Sequence, residues 1–224
     1  GIGLAIVNIL SRNGCKVIAT YRETKPVEPI NNVLFKKLDI SNQEECSTFL
    51  NELDDLQLFP NILVNNAGIT IDGMFHKMKP EAWEKVINVN LMSLFYLTQP
   101  IFTRMRENKF GRIINISSIN ANKGQAGQAN YCAAKAGIQG FTKALALEGA
   151  RHGVTVNTVS PGYTQTDMVA NINAEVLEKI KQSIPLGRLA HVDEVAAQVN
   201  YLTSEVAAYI TGANFSINGG MYFS

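Results

Sequence analysis

The chain has 224 residues, of which 46% are hydrophobic and 17% are charged, enough for one α/β domain with a sizeable core. Its 20 basic and 19 acidic residues leave a net charge of +1, which argues against a nucleic-acid or membrane-surface partner. No apolar run is long enough to span a bilayer, and the opening residues lack the pattern of a secretory signal.

Helix and strand signals alternate along the chain. In order, they predict a helix over 3–13, strands over 16–20 and 33–38, a helix over 41–53, a strand over 62–64, a helix over 80–106, a strand over 112–116, a helix over 130–151, a strand over 154–159, a helix over 192–203 and a strand over 214–217. This alternation predicts a parallel sheet covered on both faces, a Rossmann-like doubly wound αβα fold. We expect one domain over 1–224.

Three local signals refine these elements. Ser41, with Glu44 three residues later, predicts a capping box at the start of its helix. Pro100 lies inside the helix predicted over 80–106, so we expect a kink there. The polar and proline-rich stretch over 23–32 predicts a loop.

The cysteines are odd in number and scattered. They are Cys15, Cys46 and Cys132. This pattern favours a reducing compartment over a disulfide framework, so we expect a cytoplasmic protein. The three histidines lack partners at metal-ligand spacing, and we predict no metal site.

A tyrosine and a lysine lie one turn apart in the helix predicted over 130–151. Tyr131 and Lys135 share a face, and a buried ammonium beside a phenol would lower the pKa of Tyr131 toward the range where it passes protons. Ser118 could hold a carbonyl oxygen beside them. The set predicts ketone reduction or alcohol oxidation, although Tyr-x-x-x-Lys alone is also common in surface pairs.

The first residues resemble the end of a glycine-rich turn that opens a helix. Gly1 and Gly3 would let the backbone approach a pyrophosphate, and the helix N-terminus supplies a favourable dipole. Arg22 follows the next predicted strand, where an acid would bind the ribose of NAD. No acid occurs until Glu23, and Arg22 can bind a 2′-phosphate, so we favour NADP over NAD. The alternative is a solvated arginine in a loop.

Two further positions follow predicted strands. Asp39 could accept a hydrogen bond from an adenine amino group, or it could cap the helix near Ser41, and the sequence leaves both interpretations open. Asn65-Asn66-Ala67-Gly68 ends the strand over 62–64, where small residues would let a cofactor cross the strand ends.

Together these residues resemble the short-chain dehydrogenase/reductase family. The matching motifs run in the family's order over almost the whole chain and are Gly1-Ile2-Gly3, Asp39, Asn65-Asn66-Ala67-Gly68, Asn90, Ser118, Tyr131-x-x-x-Lys135 and Pro161-Gly162. The resemblance implies a catalytic tetrad of Asn90, Ser118, Tyr131 and Lys135. In it Tyr131 is the acid, Ser118 holds the carbonyl oxygen, Lys135 binds the nicotinamide ribose, and Asn90 anchors a relay water.

The resemblance also implies an NADP(H) site. Its residues would be Gly1, Ile2, Gly3, Tyr21, Arg22, Asp39, Ile40, Asn66, Ala67, Gly68, Tyr131, Lys135, Pro161, Gly162, Thr164 and Thr166. Thr166 would reach the nicotinamide carboxamide. Thr164 replaces the apolar residue usual there, which affects cofactor geometry.

Within the family, the acetoacetyl-CoA reductases of polyhydroxybutyrate synthesis are most similar. The matching segments include Asn115-Ile116-Ser117-Ser118, Gln128-Ala129-Asn130-Tyr131 and Ser160-Pro161-Gly162-Tyr163. This subgroup implies NADPH-dependent reduction of a short 3-oxoacyl thioester to its (R)-3-hydroxyacyl product. The substrate contacts would be Asp72, Gln125, Gln128 and Tyr163.

The alternative is a 3-oxoacyl-[acyl-carrier-protein] reductase of fatty-acid synthesis. Ile71 stands where both subgroups usually carry a basic residue. Four basic residues could form a docking patch for a carrier protein: Lys109, Arg112, Arg151 and His152. On a nearly neutral surface these also fit ordinary solvated charge.

The resemblance further implies a first strand and a Thr-Gly lead-in before Gly1. Without that central strand its neighbours would lack a pairing partner, so the sequence is either part of a longer chain or an impaired product. A truncated remnant or a nucleotide-binding regulator is therefore a further alternative. The family resemblance also implies a homotetramer, with the long helices pairing across one interface.

Overall fold

The strands all run parallel in the part of the chain that the computed structural model describes, which is residues 1–24, 29–166, 169 and 173–223. They are β1 (Val17–Tyr21), β2 (Val33–Lys37), β3 (Ile62–Asn65), β4 (Gly111–Ile116), β5 (Val154–Pro161) and β6 (Asn214–Ile217). β1 pairs with β2, and a second sheet has the order β3-β4-β5-β6.

Helices connect and cover these strands. They are α1 (Ile2–Arg12), α2 (Gln43–Asp55), α3 (Pro80–Ile87), α4 (Ser93–Glu107), α5 (Asn120–Lys123), α6 (Ala129–Ala150), α7 (Ala174–Ser183) and α8 (Val192–Thr203). None of those seen in the described residues is long and apolar enough to cross a membrane.

The core lies on both faces of β4 and β5, every residue of which is buried. Ile113 packs with α2, α4 and α6 on one face, whereas Ile114 packs with α1 and α8 on the other. Successive side chains of a strand point to opposite faces, so a strand covered on both sides reads as a continuous apolar run. The predicted three-layer α/β fold is confirmed.

The two sheets have separate hydrogen-bonding ladders. Among the described residues, no strand pairs with β1 on the side away from β2, or with β3 on the side away from β4. All four residues of β3 are only partly buried, in contrast to β4.

The N-cap of α2 was predicted one residue too early. The helix begins at Gln43, and the Asn42 side-chain oxygen accepts from the backbone N–H groups of Glu44 and Glu45 at 3.0 and 3.2 Å. Ser41 instead donates its hydroxyl to Asp39 at 2.6 Å. The hydroxyl of Ser41, which the sequence predicted to cap α2, is therefore bonded to the carboxylate of Asp39 instead.

The stretch predicted as one helix over 80–106 is divided in two by a turn that was not predicted. Its geometry changes at a π-helical turn, Asn88–Met92, between α3 and α4, whereas Pro100 lies inside α4 without ending it. Two helices, α5 and α7, were not predicted, although Asn173 caps α7 by accepting from the backbone N–H of Glu175 at 2.9 Å. Residues 25–28 of the predicted loop lie outside the described residues.

Gly153 should tolerate alanine much less well than Gly14. Both have a positive φ, +69° and +85°, so both variants should lose about 1 kcal/mol to backbone strain. At Gly153 an added Cβ would also collide with the backbone carbonyl oxygen of Lys109, whereas Gly14 has open space around it. We expect Gly153→Ala to lose a further ~1–3 kcal/mol of unfolding free energy, measured by chemical denaturation. Equal losses would contradict the close packing of Gly153 against Lys109.

Candidate active site

Two residues of α6 and the end of β4 form the centre of the site. The Lys135 ammonium donates to the backbone carbonyl of Ile116, the last residue of β4, at 2.8 Å. Its Nζ lies 5.6 Å from the centroid of the Tyr131 ring. Ser118, two residues beyond β4, is close enough to Tyr131 to lower the pKa of the phenol as a hydrogen-bond partner.

The direction of the Tyr131 pKa differs from the sequence-based expectation. Burial raises the pKa of the phenol above its usual 10, and this exceeds the lowering by Ser118. Burial also lowers the pKa of Lys135 from 10.5 to about 8. The ammonium is directed at the Ile116 carbonyl rather than the phenol oxygen, and desolvation opposes both charged forms. The resting phenol therefore carries its proton at neutral pH.

Asn90 reaches the same centre from the π-helical turn. It is fully buried, and its side-chain amide exchanges two hydrogen bonds of 2.8 Å with the backbone of Ile69. A Cβ added to Gly68 would lie 2.7 Å from Asn90 Oδ1 and 3.3 Å from Lys135 Nζ. All four residues predicted as the tetrad are therefore brought to one region, and Gly68 leaves the space between two of them.

Two supporting residues escaped the sequence analysis. Asn130 is fully buried, donates to the carbonyls of Ile71 and Ala82 at 3.1 and 3.2 Å, and accepts from the backbone N–H of Tyr131 at 2.8 Å. The Ser117 hydroxyl donates to the carbonyl of Lys135 at 2.8 Å. These contacts fix the start of α6 against the loop after β3 and the end of β4. Their sequence signals are adjacency to Tyr131 and Ser118 and a place in the segments that resemble the acetoacetyl-CoA reductases.

Three of the four predicted substrate contacts lie together beside Tyr131. Gln128 donates to Asp72 at 2.9 Å, and its oxygen accepts from Asn120 at 2.9 Å. Asp72 is close enough to raise the pKa of both Tyr131 and Tyr163, after burial, which is the larger cause in each. Asp72, Gln128 and Tyr163 therefore belong to one polar group near Tyr131, called the polar ring below.

Gln125 is not connected to this ring. Its side-chain oxygen accepts from Lys123 Nζ at 2.9 Å, at the exposed end of α5. The loop that carries it is nevertheless attached to the site, because the backbone N–H of Gly73 donates to the carbonyl of Gly127 at 2.8 Å.

The predicted pyrophosphate end of the cofactor site lies at the start of α1. Gly1 is the N-cap of this 11-residue helix, and no side chain among the described residues caps it, so its first backbone N–H groups can bind an anion. A Cβ on Gly3 would lie 2.7 Å from Asn66 Nδ2, and one on Gly1 would lie 3.9 Å from Thr166 Cγ2. The structure therefore brings α1, the end of β3 and the segment after β5 together.

The segment after β5 is held by its own backbone contacts. The amide of Gly162, next to Pro161, donates to the carbonyl of Ile217 at 2.8 Å. The Thr164 side chain is buried, and its hydroxyl donates to the carbonyl of Gly162 at 3.1 Å. Thr164 therefore supports the backbone here rather than presenting a free hydroxyl.

The predicted adenosine end surrounds the ends of β1 and β2. Tyr21 ends β1, and Arg22 after it donates through Nε and Nη2 to Glu23 Oε1 at 3.0 and 2.6 Å. Asp39 Oδ1 accepts from the backbone N–H and the hydroxyl of Ser41 at 2.9 and 2.6 Å, and these bonds lower its pKa. Asp39 therefore stabilises the turn before α2, whose N-cap is Asn42. Ile40 packs against the core.

The residues fit a dinucleotide along the strand ends. An uncapped helix N-terminus can take phosphate oxygens, Gly3 permits close backbone approach, and Ala67 beside Gly68 is exposed. Arg22 follows the end of β1, whereas Lys135 donates to the carbonyl of Ile116 at the end of β4.

One of the four basic residues considered for a carrier-protein docking patch, Arg112, is buried in the structure. Arg112 is only 4% exposed, donates to the carbonyl of Gly111 at 2.9 Å and lies 4.7 Å from the centroid of the Phe110 ring. Its position on the fully buried strand β4 removes it from the surface. It cannot serve as a surface contact for an acidic partner.

Known proteins that are similar to this chain include a family model and two groups of reductases. A family model described as enoyl-(acyl carrier protein) reductase matches residues 1–222. The chain is 50% identical over 229 residues to an acetoacetyl-CoA reductase of Shinella zoogloeoides, covering 100% of this chain and 95% of that one. A 3-oxoacyl-[acyl-carrier-protein] reductase of Haemophilus influenzae is 42% identical with the same coverage.

A solved structure also matches closely. The crystal structure of a protein assigned as a gluconate dehydrogenase, from Agrobacterium tumefaciens, aligns with a TM-score of 0.93 at 28% identity. The alignment covers 99% of this chain and 91% of that one.

Replacing Lys135 with methionine should reveal the cost of its buried charge. Its pKa falls from 10.5 to about 8 on folding, so between these values the unfolded chain binds more protons and stability rises with pH. Below pH 8 the full penalty applies. The stability of Lys135→Met relative to the parent should therefore be roughly 2–3 kcal/mol more favourable at pH 7 than at pH 10.

Chemical denaturation of both proteins at the two pH values measures this difference. Lys143→Met, at an exposed position of α6, is the matched control and should show no comparable change. A Lys135→Met effect independent of pH would contradict a destabilising buried ammonium.

Proposed function

This chain belongs to the short-chain dehydrogenase/reductase family, and from that premise we propose that it reduces acetoacetyl-CoA, a short 3-oxoacyl thioester, with NADPH. Members of this family are oxidoreductases that use nicotinamide cofactors. The product would be the (R)-3-hydroxyacyl thioester, the form used in polyhydroxybutyrate synthesis. Relatives named acetoacetyl-CoA reductases, at 44–50% identity over nearly the full chain, support this substrate.

One observation supports this reaction above all others: the Tyr131 phenol is close to both the Ser118 hydroxyl, which lowers its pKa as a hydrogen-bond partner, and the buried Lys135. A phenol that keeps its proton at neutral pH is an acid available to a carbonyl oxygen. A serine hydroxyl beside it can donate to the same oxygen and fix the ketone in place. This arrangement supports protonation of the oxygen as negative charge develops on it.

The residues of the chain have separable roles in this reaction. When bound, the nicotinamide supplies the hydride to the carbonyl carbon. Tyr131 gives its proton to the carbonyl oxygen, and the phenolate left behind is stabilised by the Lys135 ammonium. The positive charge of Lys135 therefore acts on the deprotonated tyrosine during turnover, although burial dominates the pKa of the resting phenol. Asn90 holds the loop after β3 in place beside Lys135.

The polar ring beside Tyr131 supports a short acyl group. Gln128 and Tyr163 can donate to the thioester carbonyl, and Asp72 orients Gln128 through their 2.9 Å hydrogen bond. Such a ring binds carbonyl oxygens without requiring a long apolar tunnel. The substrate we propose has both features, two carbonyl groups and a four-carbon acyl chain.

The alternative substrate is the same acyl group on a carrier protein. A relative with that named activity, at 42% identity, favours it. The burial of Arg112 weakens it, because a docking surface for an acidic carrier protein would need exposed cations. NADPH-oxidation assays with acetoacetyl-CoA and acetoacetyl-carrier protein compare the two directly. A higher kcat/KM for the carrier-protein substrate would replace our proposal with the alternative.

We also propose a homotetramer in the cytoplasm. Phe95 on α4 and Leu147 on α6 are 57% and 83% exposed, and large apolar residues on these helices support their burial against other copies. The cysteines are free thiols in the structure, which supports a reducing compartment. Light scattering after size-exclusion chromatography measures the oligomeric state.

Tyr131→Phe should lower kcat for acetoacetyl-CoA reduction by about 10²–10⁴-fold, because the acid is removed while the ring is kept. The Kd for NADPH, measured by fluorescence titration, should change little. Tyr201→Phe, on the exposed face of α8, is the matched control and should keep parental activity. Retained turnover in Tyr131→Phe would eliminate this tyrosine as the proton donor.

A further inference from the structure

An open cavity of ≈ 510 Å³ lies between the ends of β1 and β2 and the helix α3. Its lining contains three cations, Arg22, Lys37 and Lys85, and three acids, Glu23, Asp39 and Glu45. Formal charge in the cavity therefore balances to zero. What the cavity can bind depends on which of these charges are already engaged with one another.

The acids are engaged within the protein. Glu23 takes both hydrogen bonds of Arg22, and Asp39 accepts the two from Ser41. Glu45 Oε2 accepts from the backbone N–H of Asp39 at 3.0 Å, while Oε1 accepts from Asn42 at 3.2 Å. Each of the three carboxylates therefore already accepts at least one hydrogen bond from within the protein.

The two lysines of the cavity differ from these acids in their lack of a charged partner among the described residues. Over the ranges that the structure describes, Lys37 and Lys85 form no ion pair, whereas Arg22 does. Lys37 ends β2, while Lys85 lies on α3, so the cations reach the cavity from two elements. Lys85 is near enough to Asp39 to lower its pKa, as Arg22 also does, which places both cations about this carboxylate.

We propose that Lys85 and Lys37 bind the 2′-phosphate of NADPH in this cavity, and that Glu23 competes with the phosphate for Arg22. A phosphate monoester is close to a dianion at neutral pH and takes charge-assisted hydrogen bonds from ammonium groups. Lys37 and Lys85, which form no ion pair among the described residues, can bind the phosphate without first breaking one. Arg22 becomes available only when its bond to Glu23 is broken, so Glu23 reduces the preference for a phosphorylated cofactor.

This inference rests on the proposed use of NADPH and extends it to residues outside the loop after β1. Lys85 also has a structural link to the chemistry. Its helix leads directly into the π-helical turn, whose residues Asn88 and Val89 line the same cavity and whose Asn90 lies beside Lys135. The phosphate end and the reactive end of the site therefore share one continuous segment.

The test is direct binding, not turnover. Titrations with NADPH, NADH, adenosine 2′,5′-bisphosphate and AMP separate the 2′-phosphate from the rest of the cofactor. Lys85→Gln should weaken NADPH and the bisphosphate about tenfold while changing NADH and AMP less than about twofold. Lys79→Gln, just before α3 and outside the cavity lining, is the control and should leave all four affinities unchanged.

Glu23→Gln should act in the opposite direction. Removing the competing carboxylate frees Arg22, so the ratio of NADPH to NADH affinity should rise severalfold. Circular dichroism confirms that each exposed-site variant is folded. The inference is overturned if Lys85→Gln weakens NADPH and NADH equally or weakens neither, or if Glu23→Gln leaves the ratio unchanged.

The outcomes also separate this inference from the proposed function. Lys85-dependent binding of the bisphosphate in a protein that does not reduce acetoacetyl-CoA would reject the function and keep the phosphate site. NADPH-dependent reduction that survives Lys85→Gln with an unchanged Kd for NADPH would keep the function and reject the site. A parent protein that binds neither dinucleotide would reject both.

Discussion

The buried ammonium of Lys135 is the constraint around which the site is arranged. Taking a charge out of water is costly, and here one carbonyl, that of Ile116 at the end of β4, accepts its hydrogen bond. The bond joins the end of a central strand to the first turns of α6. The buried charge therefore lowers the stability of the folded chain, and it does so next to Tyr131.

The irregular parts of the backbone cluster around this charge. The π-helical turn over Asn88–Met92 lets Asn90 face inward and take both hydrogen-bonding groups of Ile69. Asn130 similarly joins the start of α6 to two backbone carbonyls. Such turns and buried amides are common at functional sites because they place side chains where regular helices would not. The regular elements form the scaffold, and these exceptions orient the reactive groups.

Charge is distributed differently at the two ends of the site. Beside Tyr131, burial raises the pKa of the phenol and the carboxylate of Asp72 adds to this rise, so the protonated form is favoured. At the ends of β1 and β2, three cations and three acids line one open cavity, and among the described residues two of those cations, Lys37 and Lys85, form no ion pair. The two regions therefore differ in how their cations are held, because the buried Lys135 donates to a backbone carbonyl whereas the two lysines of the cavity are exposed.

The sequence by itself determined the α/β fold and most element positions, because apolar periodicity and strand-end glycines are local properties. It also predicted, through the family resemblance, the four residues Asn90, Ser118, Tyr131 and Lys135 that the structure brings to one region. Tertiary structure decided the raised pKa of Tyr131, the capping of α2 by Asn42, the interruption at Asn88–Met92 and the burial of Arg112. It also decided the meeting of Lys85 with Arg22 across one cavity. Each of these depends on desolvation or on contacts between residues far apart in the chain, which spacing along the sequence does not encode.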